Sequence, residues 1–245
     1  MKFLIIVPAY NEEAAITGTL AGLASLHEAA DVVVINDGSH DATSARVAAF
    51  AAAHPWVTQV VLPFNAGIGS AMQTGFAYAV RRGYEYAVQF DGDGQHPAEQ
   101  VLGLVAKARE QQLDLCVGSR FLDDHAASFR STWARRVGIR FFAWLISLLV
   151  REPVTDPTSG FRVYGRRALE VFARTYPDDY PEPEALFWCF RNKLRVAEVP
   201  VAMLERQGGQ SSIRYLRTLY YMVKVTMAIL IDRLRNLEVN DDEEH

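Results

Sequence analysis

Lysine is scarce in this 245-residue chain: Lys2, Lys107, Lys193 and Lys224 are the whole set, so arginine carries nearly all of the 25 positive charges. Those charges are outweighed by 29 Asp and Glu, giving a net charge of -4, and the missing basic excess excludes a dedicated nucleic-acid binder. Arginine's planar fork suits phosphate and carboxylate recognition. Cysteine is scarcer still. Cys116 and Cys189 stand far apart in apolar runs, which excludes a disulfide framework and reads as two buried free thiols in a reducing compartment. Long hydrophobic runs are also lacking. Phe141 to Val150 is broken by Ser147, and Leu219 to Ile231, broken by Lys224 and Thr226, covers roughly 20 Å as a helix against the roughly 30 Å of a bilayer core. The apolar stretch Phe3 to Val7 is too short for a signal peptide, so the chain is expected to stay in the cytosol.

What is present is a core-forming composition, 50% hydrophobic and 22% charged, which excludes a disordered or collagen-like chain. The first half alternates short β-branched runs with helical stretches. Strands are expected at Phe3 to Val7, Val32 to Ile35, Val57 to Leu62, Tyr86 to Phe90 and Leu113 to Val117. Helices are expected at Glu12 to Leu26, Asp41 to Ala53, Gly67 to Arg82 and Pro97 to Glu110. Continuous apolar strands between helices predict an α/β fold with a parallel sheet covered on both faces, whose functional residues follow the strands at the carboxyl edge. Beyond Arg120 the alternation stops. Arg130 to Val150 reads as one helix, with Trp133, Val137, Phe141, Trp144 and Leu148 on a stripe. A rigid proline loop from Tyr176 to Glu184 leads into a helix at Ala185 to Arg191, then a strand at Leu194 to Val199, a loop with Gly208-Gly209 and a last helix from Ile213 to about Leu237.

The most informative segment is Phe90-Asp91-Gly92-Asp93-Gly94-Gln95-His96-Pro97. Two carboxylates one residue apart at a strand end, with glycines removing bulk, can hold a hard divalent cation and admit a diphosphate. An EF-hand loop fails here, because Gln95 and His96 stand where further ligands and a glycine are required. After the second strand, Asn36-Asp37-Gly38-Ser39 puts a carboxylate where a base N–H or a ribose hydroxyl can be bound, while Asp41 caps the next helix. The first strand ends in Pro8-Ala9-Tyr10-Asn11-Glu12, a ring and a carboxylate at the same edge.

Together with Asn65-Ala66-Gly67-Ile68-Gly69, Gly118-Ser119-Arg120-Phe121, Asp156-Pro157-Thr158-Ser159-Gly160-Phe161-Arg162 and Arg206-Gln207-Gly208-Gly209-Gln210-Ser211, these segments occur in the order seen in glycosyltransferase family 2. The chain resembles the branch of dolichyl-phosphate mannose synthase and the bacterial polyprenyl-phosphate glycosyltransferases, over roughly residues 3 to 212. The resemblance implies a GT-A fold, a Rossmann-like nucleotide-binding sandwich. It implies nucleoside contacts from Pro8, Tyr10, Glu12 and Asp37, and donor binding by Asp91, Gly92 and Asp93. It further implies a Mg or Mn ion on Asp91, Asp93 and Gln95, Arg120 facing the donor phosphates, and a loop of Arg206, Gly209 and Ser211 closing over the diphosphate. Ile68 stands where many relatives carry a basic residue, which weakens a phosphate role for that loop.

The expected reaction is inverting transfer of a sugar from a UDP- or GDP-linked donor to polyprenyl phosphate, for cell-surface glycan synthesis at the cytosolic membrane face. Arg206 and the metal neutralise the leaving diphosphate. A phosphate acceptor needs no general base; a hydroxyl of a lipid-linked saccharide does, and the places that could supply one are Asp156 and the pair Glu182 and Glu184 flanking Pro183, with Asp156 and Glu184 as the candidates. A non-catalytic nucleotide-sugar-binding subunit is the third reading. Arg130, Arg135, Arg136 and Arg140 beside the Trp133 to Leu148 stripe suit an interfacial helix at anionic headgroups, although packing on the sheet would give much of the same stripe. Tyr215, Tyr220, Tyr221, Met222 and Ile229 in the last helix, interleaved with Arg214, Arg217 and Lys224, suit a membrane, a small membrane protein or a homodimer. Residues 1–212 are thus expected to be the catalytic domain, 213–237 an interfacial or partner-docking helix and 238–245 an acidic tail.

Overall fold

The computed structural model describes residues 2–91, 97–122, 133–178, 181–202, 222–231 and 233, with only the backbone of 133–135. The first apolar run becomes the centre of a sheet. β1 (Phe3–Ala9) is buried along its whole length because both faces are covered. Leu4 and Ile6 enter one core, and Phe3, Ile5 and Val7 the other. A strand so placed needs apolar residues at every position instead of every second one. β2 (Ala30–Asn36) and then β3 (Val57–Val61) extend the sheet on one side of β1, and β4 (Tyr86–Gln89) pairs on the other, all parallel.

Helices α1 (Ile16–Leu23), α2 (Thr43–Ala53) and α4 (Ala98–Glu110) bring Leu20, Val47 and Leu104 to the Phe3 face, while α3 (Ile68–Arg82) brings Met72 and Phe76 to the Leu4 face. α1 starts later than its expected bound, because the N–H groups of Ala15 and Ile16 both turn back to the Glu12 carbonyl. The sheet continues through β5 (Leu115–Ser119), β6 (Arg162–Gly165) and β7 (Val196–Pro200), in the order β3-β2-β1-β4-β6-β5-β7. β6 is antiparallel to both β4 and β5, and β7 is parallel to β5.

The alternation does not stop at Arg120: β6 and the helix after it, α6 (Arg166–Phe172), were not anticipated. β6 is only four residues long and opens on an arginine, which is fully buried here. α5 (Trp133–Val150) points Ile139, Phe142 and Ile146 inward. Of its expected stripe, Val137, Trp144 and Leu148 face outward, 44%, 59% and 59% exposed, with Arg136 and Arg140 also in solvent, while Phe141 is half-buried against the core. α7 (Pro181–Arg191) starts four residues before its expected bound, taking in the supposed loop residues Pro181 and Pro183. Proline is tolerated in a first turn, where N–H groups have no intrahelical acceptor. The helix at 222–231, α8, sends Val225 and Ile229 into the same core as α5 and α7, so Ile229 packs inward instead of facing a partner, while Val223, Met227 and Ile231 are exposed. Met222, also expected to face a partner, packs half-buried on the same core, whereas Arg214, Tyr215, Arg217, Tyr220 and Tyr221 lie with residues 203–221 and 234–245 outside the described residues.

Candidate active site

The carboxyl ends of β1 to β5 share one edge, and β6 starts from it. At one end of the edge, Pro8 is buried in β1 and Tyr10 follows it, 41% exposed, its ring meeting His40 edge-on at 6.5 Å. The turn after β1 is fastened to the turn after β2. The Asn11 N–H donates to Ser39 Oγ at 3.0 Å, the His40 N–H to Asn11 Oδ1 at 2.9 Å, and the Glu12 N–H to Thr43 Oγ1 at 2.8 Å. Asp37 is buried and accepts the N–H groups of Ala66 and Gly67 at 2.8 and 2.9 Å, one on each carboxylate oxygen. It thereby holds the loop after β3, and each oxygen keeps a further lone pair. Gly38 has φ 64° and the backbone of Phe64 and Asn65 stands where its side chain would be. Only glycine meets both conditions.

In the middle of the edge, Asp91 follows β4 and lies over Gly160: a Cβ at residue 160 would stand 2.8 Å from Asp91 Oδ2. Glycine there gives the carboxylate its room, and a hard oxygen donor at a strand end fits a divalent cation. Asp93 and Gln95, the other expected ligands, lie outside the described residues with Gly92, Arg206 and Ser211. Among the described residues no three His, Cys, Asp or Glu gather as a metal cluster.

Beside Asp91, Gln89 donates to Glu182 Oε1 at 3.4 Å and accepts from the Tyr164 hydroxyl at 3.0 Å, which in turn meets the Tyr176 hydroxyl at 3.2 Å. Burial raises the proton affinity of Glu182; the Arg162 guanidinium opposes the shift and the Asp91 carboxylate adds to it. Of the two glutamates of α7, then, Glu182 is the one turned toward Asp91. Glu184, the candidate base of that pair, lines a cavity of about 310 Å³ with Tyr176, Phe187, Trp188 and Ile229. The reason is helical geometry: residues two apart differ by about 200° around the axis, so they serve opposite faces.

At the other end, Arg120 and Asp156 form a buried bidentate pair. Arg120 Nε donates to Oδ2 at 2.6 Å and Nη2 to Oδ1 at 2.7 Å, the Arg120 N–H adds a third bond, and Thr158 Oγ1 accepts from Nη2 at 2.8 Å. Asp156 has no exposed surface, so this expected base is engaged as the partner that orients Arg120. Glu198 of β7, not foreseen, accepts the Thr155 N–H and hydroxyl on one oxygen and the Asp156 N–H on the other, at 2.7 to 2.9 Å. Arg162 is the largest fully buried side chain among the described residues. It donates to the carbonyls of Ser159, Pro157 and Glu182, so it ties the 156–162 loop to the start of α7. A glutamate inside the otherwise apolar Val196-Ala197-Glu198-Val199 was the available signal for Glu198; for Arg162 the sequence offered only its neighbours in the loop.

The sequence matches the family described as glycosyl transferase family 2 over residues 4–172. It is 31% identical to polyprenol monophosphomannose synthase of Mycolicibacterium smegmatis over 86% of this chain and 81% of that one. It is 30% identical to undecaprenyl-phosphate mannosyltransferase of Micrococcus luteus over 87% and 88%. Among solved structures, glucosyl-3-phosphoglycerate synthase of Mycobacterium tuberculosis, in complex with Mn2+, UDP and glucosyl-3-phosphoglycerate, superposes with a TM-score of 0.69 over 95% of this chain and 79% of that one, at 20% identity. With seven motifs in order, a mostly parallel sheet and a match across most of that sheet, the chain belongs to glycosyl transferase family 2 and is a glycosyltransferase of GT-A fold.

Proposed function

We propose that the protein moves a sugar, with inversion, from a UDP- or GDP-linked donor to polyprenyl phosphate at the cytosolic face of a membrane. The donor's nucleoside lies on Pro8, Tyr10, Glu12 and Asp37. Arg120, held flat by Asp156, faces the diphosphate, and Arg206 and Ser211 close over it. Asp91, with Asp93 and Gln95, would hold a divalent cation, which would supply Lewis-acid neutralisation of the leaving diphosphate. The acceptor approaches the anomeric carbon from the opposite side.

The observation that carries a phosphate acceptor over a hydroxyl is the state of Asp156: sealed from solvent and locked to Arg120, it has no surface from which to take an acceptor's proton. A phosphate whose second pKa is about 6 is mostly dianionic at neutral pH and needs no base. The names of the two relatives support the same acceptor class. Glu182 favours the hydroxyl reading, because a half-buried carboxylate of raised proton affinity beside Asp91 suits a general base.

Support for a membrane surface comes from α5 and α8. No helix among the described residues is long and apolar enough to cross a membrane. Yet both expose apolar stripes, Val137, Trp144 and Leu148 on one and Val223, Met227 and Ile231 on the other, with Arg136 and Arg140 in solvent. Apolar stripes edged by arginine suit an anionic interface.

The test is incubation of the purified protein with Mn2+ or Mg2+ and a panel of UDP- and GDP-sugars, with and without undecaprenyl phosphate. Product on the phosphate that survives Glu182→Gln and Glu184→Gln is expected. Activity on saccharide hydroxyls alone overturns the phosphate reading, and nucleotide binding without any turnover revives the non-catalytic one.

A further inference from the structure

Glu198 has no part in the reaction above, yet its place in β7 makes it conspicuous. Its register partner in β5 is Val117, fully buried in a core, so sheet packing alone calls for an apolar residue at 198. A half-buried carboxylate is costly there unless its oxygens are satisfied. Both are taken by the segment that carries Asp156. Oε2 accepts the Thr155 N–H at 2.8 Å and the Thr155 hydroxyl at 2.7 Å, and Oε1 accepts the Asp156 N–H at 2.9 Å.

The same carboxylate reaches the turn that carries Arg120. Ionised, it can only accept, so the Thr155 hydroxyl proton points at it. The Ser119 hydroxyl, 2.6 Å from Thr155 Oγ1, must then donate to Thr155, and Ser119 Oγ in turn accepts the Phe121 N–H at 3.2 Å. The bonds therefore run in one direction, from the Phe121 N–H through Ser119 and Thr155 to Glu198. Arg120 lies between Ser119 and Phe121, and its own N–H goes to Asp156 Oδ2 at 3.1 Å. Arg120 and Asp156 come from segments 36 residues apart, and Glu198 fastens both, one through Ser119 and the other through two backbone N–H groups. A bidentate pair needs its two backbones in fixed register, and this carboxylate supplies it.

We propose that Glu198 is a positioning residue for the transfer: it sets the Arg120–Asp156 pair, and through that pair the guanidinium that meets the donor diphosphate. This rests on the donor site proposed above. Groups that meet a substrate keep their geometry only when the residues behind them are locked. The task requires a carboxylate, and an amide does not replace it. Glutamine can offer its oxygen to the Thr155 groups or to the Asp156 N–H, but its NH2 then faces the other donor.

The test is calorimetric binding of UDP, GDP, uridine and guanosine to the full chain with Mg2+. Glu198→Gln and Thr155→Val are each made in the wild type and in the variant Arg120→Met with Asp156→Leu, which lacks the pair. In the wild type, Glu198→Gln is expected to weaken UDP and GDP about tenfold, the effect of one lost hydrogen bond to a charged group, and Thr155→Val less, with both nucleosides unchanged. The pair-less variant should itself bind both nucleotides about tenfold more weakly than the wild type. In it, neither substitution should matter beyond about twofold, because nothing is left to position. Thr155→Val keeps the side chain's shape, so it carries the comparison if Glu198→Gln loses its fold. Nucleotide affinities unchanged by both substitutions overturn the proposal while leaving the donor site standing. So does a loss repeated in full in the pair-less variant, or shared equally by the nucleosides, which would make Glu198 a general prop of the fold. A pair-less variant that binds nucleotides like the wild type removes Arg120 from the donor site, and the role of Glu198 with it. A wild type that binds neither nucleotide overturns the donor reading itself.

Discussion

Asp156 shows how much one buried carboxylate can fix. Its two oxygens serve Arg120 and its N–H serves Glu198, so three strands' worth of site geometry converge on a residue with no exposed surface. Asp156→Asn leaves the Arg120 charge buried without its counter-ion, which typically costs about 3–5 kcal/mol. For a chain of this size that is a melting temperature lower by roughly 10 °C. Calorimetry checks it, and Arg120→Met with Asp156→Leu should recover part of the loss, because an apolar pair of similar volume spares both desolvation costs. Glu182 gives a second residue-level expectation. Its raised proton affinity in the fold means the native state holds more protons than the unfolded chain between the ordinary carboxylate value and the raised one. Wild-type stability therefore falls across that window as pH rises. Glu182→Gln lacks this slope, so its denaturation midpoint should gain on the wild type from about pH 4.5 upward, a trend that urea titrations at several pH values detect. Neither role was legible in the sequence, which distinguishes a carboxylate that faces substrate from one that faces an arginine only by its neighbours in space.

Among the elements, α5 is the clearest case of a pattern with two meanings. A stripe of Val137, Trp144 and Leu148 at helical spacing is the same whether it lies on the sheet or in the open. The chain carries a second inward stripe, Ile139, Phe142 and Ile146, and that one takes the core. The two should separate on mutation. Phe142→Ala is expected to cost about 3–5 kcal/mol. Trp144→Gln with Leu148→Gln should leave the melting temperature within a degree or two, while reducing co-sedimentation with phosphatidylglycerol vesicles severalfold. Strands β1 to β4 were legible because continuous apolar runs bounded by turn residues suit strands covered on both faces. β6 was not, because four residues with a buried arginine carry no such pattern. α7 was misjudged at its start because prolines read as a loop when they can equally open a helix.

At the scale of the whole molecule, the two cores sit on opposite faces of one seven-stranded sheet, and each holds one thiol, Cys189 in one and Cys116 in the other. Burial pushes both Cys116 and Cys189 up to about 12. Native protein at pH 8 is expected to leave a thiol reagent unconsumed over minutes, and the guanidinium-unfolded chain to consume two equivalents, as absorbance titration reads directly. The reversed strand has a further consequence, for the order in which the chain assembles. β1 to β4 need only residues up to Gln89 to pair, but Tyr86 waits for Gly165, and Leu115 for Val196. A chain leaving the ribosome can therefore complete the nucleoside half of its edge long before Arg120 and Asp156 meet, and until β6 is made, one flank of β4 stays an open template for pairing with other chains.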